Sequence, residues 1–202
     1  MMINHGQRRA QILTTAQQLF AEHGFASTTT RQLNQTVGIA DGLLYYYFPQ
    51  GKQQLLDTIV AQGVTAHRAA IDLSLAGVAD LPALEARLVA IMQQLWDLLT
   101  SPEGYQVFVI TIRERPRLSQ AAADWLPKVM TQGRKRLMTA LNQLAWLKLD
   151  PADSKQLATT IFAVFQATLY SALLINDQRE LTAAVSDQLH AQLHFLLTKV
   201  TA

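Results

Sequence analysis

Between Gly24 and Lys52 the chain has room for only two short helices separated by a glycine, and that punctuation restricts the possible folds more than any other stretch. Thr28 or Thr29 is placed to cap the first, whose inward residues are Leu33 and Val37, and Gly38 closes it in a tight turn. The second runs from about Asp41 to Tyr47, with Phe48 as an apolar anchor and Pro49 as its stop. Upstream, Ile12, Leu13, Ala16, Leu19 and Phe20 recur at helical spacing before Gly24, which is expected to act as a left-handed stop. Three helices with converging apolar faces, the last two joined by one glycine turn, form a helix-turn-helix module.

The remaining sequence is punctuated in the same way. Gly51 and Lys52 open a long helix with Leu55, Leu56, Ile59 and Val60 on one face. Asp80-Leu-Pro and Ser101-Pro each start a helix, and Pro116 breaks the chain again. Asp150-Pro-Ala-Asp153 combines a capping acid, a first-turn proline and a second acid, and predicts helices over about 152–176 and 181–199. No stretch alternates with a period of two, and no internal repeat is present. The expected fold class is therefore all-α, with about nine helices. The expected organisation is a module over 1–50, joined by helix four to a helical domain over 51–202.

Composition excludes several chemistries. The 202 residues include no cysteine, so disulfides, thiolate metal sites and thiol nucleophiles are absent. No G-x-S-x-G, H-E-x-x-H or phosphate-cradling glycine loop occurs, so an enzyme is the remote reading, and neither cofactor nor metal is expected. The N-terminus lacks a compact apolar core followed by a small-residue cleavage site, and a cytoplasmic location is expected. Gln156 to Asn176 carries no charge and is long enough to span a bilayer. Thr159, Thr160, Gln166, Thr168 and Ser171 interrupt it, so a helix buried between protein partners is preferred and no membrane partner is expected.

The short second helix of the module has the side chains that a duplex reader requires. Leu44 and Phe48 are four apart and can face inward, which leaves Asp41, Gly42, Leu43, Tyr45, Tyr46 and Tyr47 partly or fully outward. Tyrosine hydroxyls can donate to phosphate oxygens, and their rings can pack on a thymine methyl; Gly42 permits close backbone approach. Thr28, Thr29, Thr30 and Arg31 place hydroxyls, free amides and a cation at the start of the preceding helix. Lys52 adds a charge at the start of helix four. The charge balance agrees: residues 1–52 hold four basic and two acidic side chains, while the other 150 hold 13 of each sign. Double-stranded DNA is thus the partner that these residues point to.

The pattern from Arg9 through Ile12, Leu13, Ala16, Leu19, Phe20, Gly24 and Thr28, then Gly38, Gly42, Leu44, Tyr45, Tyr46, Phe48 and Lys52, resembles the N-terminal domain of the tetracycline-repressor (TetR) family. The resemblance covers about a quarter of the chain. It implies a homodimeric transcription regulator, usually a repressor, whose C-terminal domain binds a small molecule and releases operator DNA. By position it implies that Thr30 and Lys52 bind phosphates, that Tyr45 and Tyr46 line the groove and that Gly42 approaches the backbone. The sequence departs from the family pattern at Ala40, where a capping Ser is frequent, at Asp41 in place of Lys, at Tyr47 in place of His, and in the extra Gly51. The same resemblance places Met92, Trp96, Tyr105, Phe108, Trp125, Met130, Phe162, Phe165 and Tyr170 on helices lining an effector cavity, which implies a hydrophobic or flat effector.

In the last two helices Ala163, Ala167 and Ser171 recur every four residues and allow close helix approach. Leu181, Val185, Leu189, Leu193, Leu196 and Val200 mark the final helix as amphipathic. Two such helices from each subunit would make a four-helix interface, with Leu189, Leu193 and Leu196 in it, as a two-fold symmetric reader needs. His190 and His194 lack a third ligand for a metal. Arg113, Arg115 and Arg117 read as a solvated rim, with attraction of an anion or facing the DNA module as alternatives. A DNA-binding activator, or a constitutive organiser without a small-molecule switch, is the second functional reading.

Overall fold

Several helices start where a short polar side chain satisfies a free amide of the first turn. Asn4 opens α1 (His5–His23) with a reciprocal capping box, its side chain accepting from the Gln7 amide while Gln7 accepts from the Asn4 amide. Thr29 opens α2 (Thr30–Val37) by accepting from the Gln32 amide at 3.0 Å. Ser101 and Asp150 open α6 (Pro102–Arg113) and α9 (Pro151–Leu169) in the same way, each followed by proline. The other helices are α3 (Asp41–Tyr47), α4 (Gly51–Ala70), α5 (Leu81–Thr100), the one-turn α7 (Gln120–Ala123), α8 (Trp125–Asn142) and α10 (Ala183–Thr201). This computed structural model describes residues 4–201, apart from the side chains of residues 64, 66–70 and 201. No strand occurs among the described residues, and the fold is all-helical, with the single turn of α7 added to the helices read from the sequence.

The chain packs as two units. One holds the chain up to Ala66 together with Ser101–Pro127, so it is larger than the module over 1–50 and takes in α6 and α7. Its core joins Ile12, Ala16 and Phe20 of α1 to Leu33 of α2, Leu44 of α3, Phe48, and Leu55, Leu56 and Val60 of α4. Each of these buried side chains contributes roughly 1.5–3 kcal/mol if large and apolar. α1 packs on both α2 and α6. A close approach fixes α6 against α4, since a Cβ at Gly63 would stand 2.2 Å from Val107 Cγ1. Gly38 closes α2 in the left-handed region, whereas Gly24 combines φ 84° with ψ 157°, an extended ψ rather than the left-handed helical stop expected.

The second unit holds His67–Thr100 and the chain from Lys128 onward. Its core is built from Leu84, Leu88 and Met92 of α5, Leu137 and Leu141 of α8, Ile161 and Phe165 of α9, and Leu189, Leu193 and Leu197 of α10. α10 packs against α5 and α9. α9 continues as a π-helical segment, Tyr170–Ile175, in which the hydrogen-bond spacing widens. Pro151–Ile175 is long and apolar enough to cross a membrane by length and composition, with 33% of its most apolar window buried within the fold.

Candidate nucleic-acid interface

α3 is seated by its inward pair and presents the opposite side to solvent. Leu44 and Phe48 are fully buried, and the Arg9 guanidinium lies 4.9 Å from the Phe48 ring centroid. On the other side Tyr45 and Tyr46 are 51% and 68% exposed, large values for aromatic side chains. Asp41, Gly42 and Ala40 are also exposed, and Leu43 and Tyr47 are half-buried. A Cβ at Gly42 would meet nothing within 4 Å, so this backbone is open to close approach from outside. Ala40 supplies no side-chain cap, and the Asp41 carboxylate instead accepts from Asn34 Nδ2 at 3.0 Å, tying α2 to the first turn of α3.

Two contacts around the tyrosines were not read from the sequence. The His5 ring on α1 stands 4.6 Å from Tyr47 and 5.8 Å from Tyr46, and the two tyrosine rings meet edge to face at 5.1 Å. Gly51, at φ 59°, lies against the Tyr45 ring, where a Cβ would be 3.0 Å from Cε1. The extra glycine thus leaves room for Tyr45 beside the start of α4. Only the cap pattern Asn4-x-x-Gln7 hinted that α1 extends back as far as His5.

The expected backbone clamps are arranged differently from the sequence reading. Thr28 is fully buried, and its hydroxyl donates to the Gly24 and Leu19 carbonyls at 2.8 and 3.2 Å, so it is no surface contact. The exposed hydroxyl is that of Thr29, which accepts an amide and keeps its own hydrogen free to donate; Arg31 is exposed and Thr30 half-buried beside it. Lys52 points inward rather than at a phosphate. Its ammonium donates to the carbonyls of Phe25 and Thr28 at 2.6 and 2.7 Å and lies 4.3 Å from the Phe25 ring centroid. Burial lowers its pKa from the ordinary lysine value, with the Glu114 carboxylate acting in the opposite sense and Arg117 in the same sense.

The nine aromatic and sulfur-bearing residues expected around an effector have different surroundings. Met92, Trp96 and Phe165 are core residues of the second unit, and the Trp96 indole N–H donates to the Arg179 carbonyl at 3.1 Å. In that unit Phe162 packs against Gly133, Gln166 Nε2 donates to the Met130 sulfur at 3.6 Å, and Tyr170 is 58% exposed. Tyr105, Phe108 and Trp125 belong to the first unit and are half-buried. An open groove of about 620 Å³ in the first unit is lined by Gln50, Gln54, Asp57, Thr58, Ser119 and Trp125 among others, so Trp125 is the one member of the nine on it.

The residues expected at a subunit interface also divide. Ala163, Ala167 and Ser171 are exposed, but Leu189 and Leu193 are buried inside the subunit and Leu196 is half-buried, because that leucine stripe covers α5 and α9. Phe195, 67% exposed on the other side of α10, is the outward apolar residue that the sequence reading passed over. His190 Nδ1 meets the Ser186 carbonyl and His194 Nδ1 meets Glu85, so each imidazole is used within the helices. The arginine rim encloses an anion of its own, the buried carboxylate of Glu114.

Residues 12–59 match the family model described as bacterial regulatory proteins, tetR family. Over 53 residues the chain is 40% identical to the HTH-type transcriptional regulator LmrA of Bacillus subtilis (strain 168), covering 26% of this chain and 28% of that protein. Over 41 residues it is 44% identical to the HTH-type transcriptional repressor AcnR of Corynebacterium diphtheriae, covering 20% of this chain and 22% of that protein. The chain therefore aligns with only 28% and 22% of these relatives' length. The fold as a whole is similar to that of a regulator from Saccharomonospora viridis solved in complex with choline, with a TM-score of 0.65 at 18% identity over 96% of this chain and 97% of that one. The match to the tetR family model thus lies in α1 to α4, and the chain as a whole has the fold of the solved regulator.

Proposed function

We propose that the chain is a homodimeric transcriptional repressor that binds a palindromic operator through α3 and is released by a small hydrophobic or aromatic effector. The observation that carries this reading is the division of α3, fully buried through Leu44 and Phe48 and exposed through Tyr45 and Tyr46. A helix held this way can enter a major groove without losing its seat. Thr29, Thr30 and Arg31 at the start of α2 would position the duplex, while Ala40 to Leu43 and the three tyrosines read it. Anisotropy titrations at several salt concentrations test this: duplex from upstream of the chain's own gene should bind at least about 10³-fold more tightly than scrambled duplex. Equal affinities at every salt concentration would refute it.

The dimer in this reading is formed by the outward faces of α9 and α10. Ala163 and Ala167 leave space for a facing helix, and Tyr170, Ile175 and Phe195, each more than half exposed, supply apolar area that a lone subunit would leave in water. Phe195→Glu is expected to convert the dimer to a monomer in light scattering and to reduce operator affinity with it. A variant that remains a dimer would remove this face from the interface. The effector reading is supported by the aromatic content of the C-terminal helices and by the choline complex of a protein with this fold. A ligand that raises the melting temperature and dissociates operator in the same concentration range is the expected behaviour.

A further inference from the structure

We propose that Glu114 is a positioning residue for operator recognition, holding the α1–α2 connection in place from the end of α6 without touching DNA; this rests on the DNA-binding reading above. The carboxylate is 3% exposed although it lies in the charged run Arg113 to Arg117. Oε1 accepts from the Phe25 amide and from Arg113 Nε, both at 3.1 Å, and Oε2 accepts from Arg117 Nη1 at 3.1 Å. A buried carboxylate is tolerated only when paired and hydrogen-bonded in this manner, and removal of one partner is costly.

The donors around Glu114 are themselves anchored to the module. The Arg113 guanidinium donates to the Phe20 and Ala21 carbonyls in the last turn of α1, where the negative end of the helix favours a cation. Arg117 offers its carbonyl to Gln53 at 2.9 Å, and the Ser119 amide donates to Asp57 at 3.1 Å, so the same short segment is tied to α4. Phe25 is consequently held through both of its backbone polar groups, the amide by Glu114 and the carbonyl by Lys52. Phe25 stands four residues before the Thr29 cap that starts α2, and α2 in turn fixes the first turn of α3 through Asn34 and Asp41. The chain of contacts runs from a carboxylate at the C-terminal cap of α6 to the orientation of the reading helix.

Glu114→Gln keeps the shape and one acceptor but turns an N–H₂ toward the arginines. In the full-length chain it is expected to reduce hydrogen-exchange protection of the Phe25 amide about tenfold. It should weaken operator binding by a similar factor, about tenfold, while affinity for scrambled duplex and its salt slope stay unchanged. Arg117→Gln, at a side chain 48% exposed, provides the same two readouts in a milder form should Glu114→Gln not fold. Undiminished Phe25 protection in a folded variant would overturn the proposal, as would parallel loss of operator and scrambled binding. If the wild-type chain itself fails to discriminate operator, the functional reading falls and with it the role in recognition. The exchange measurement would then still decide whether Glu114 holds the connection.

Discussion

Tyr46→Ala is expected to lower specific operator affinity by about 10- to 100-fold while leaving the fold in place. A charge-assisted hydrogen bond to phosphate contributes roughly 1.5–3 kcal/mol, and the ring adds apolar contact with a base edge. Tyr46 is 68% exposed, so its removal opens no cavity in the core. What the isolated chain loses is the edge-to-face pairing with Tyr47 and the more distant contact with His5, a change of about 0.5–1.5 kcal/mol. Binding and stability should therefore separate: a large change in operator titrations, a small one in thermal unfolding. Unchanged operator affinity would remove Tyr46 from the reading surface.

Lys52→Met is expected to show the opposite separation. The ammonium is committed to two carbonyls at 2.6 and 2.7 Å, and the variant leaves both without their charged donor while keeping apolar contact with Phe25. Hydrogen bonds to a charged group contribute about 1.5–3 kcal/mol each net of solvent exchange when well buried, and Lys52 is only half-buried, so a total loss of about 1.5–3 kcal/mol is expected in denaturant unfolding. A lysine that bound phosphate would behave differently, reducing the salt slope of DNA binding by about one unit with stability preserved. The two measurements assign Lys52 to one role or the other.

Local signals were strong in this sequence. Leu33 and Val37 before Gly38, then Leu44 and Phe48 before Pro49, place α2 and α3 within a residue or two, because short helices can bury one face only if their apolar residues fall three or four apart. Asp150 and Ser101 cap as expected, since a helix start depends on a few neighbouring residues.

What the sequence conceals is how one helix is covered by another. Thr28, Thr29 and Thr30 are chemically alike, and only the turn at Gly24 decides that Thr28 folds back on Leu19 while Thr29 faces water. The leucine stripe of α10 announces an apolar face but not what covers it; the subunit's own α5 and α9 do, and Phe195 is left outside. Glu114 reads as one charge among several, and its burial depends on Phe25, 89 residues earlier in the chain. Lys52 likewise finds its carbonyls 24 and 27 residues away. Pairings over such separations leave no periodic trace in the sequence.

DNase footprinting of the full chain across the DNA upstream of its own gene and the adjacent transcripts tests the central claim most directly. A protected two-fold symmetric segment is expected, lost with Tyr46→Ala at protein concentrations that saturate it for wild type. Uniform cleavage with no protected palindrome in any of those regions would contradict it.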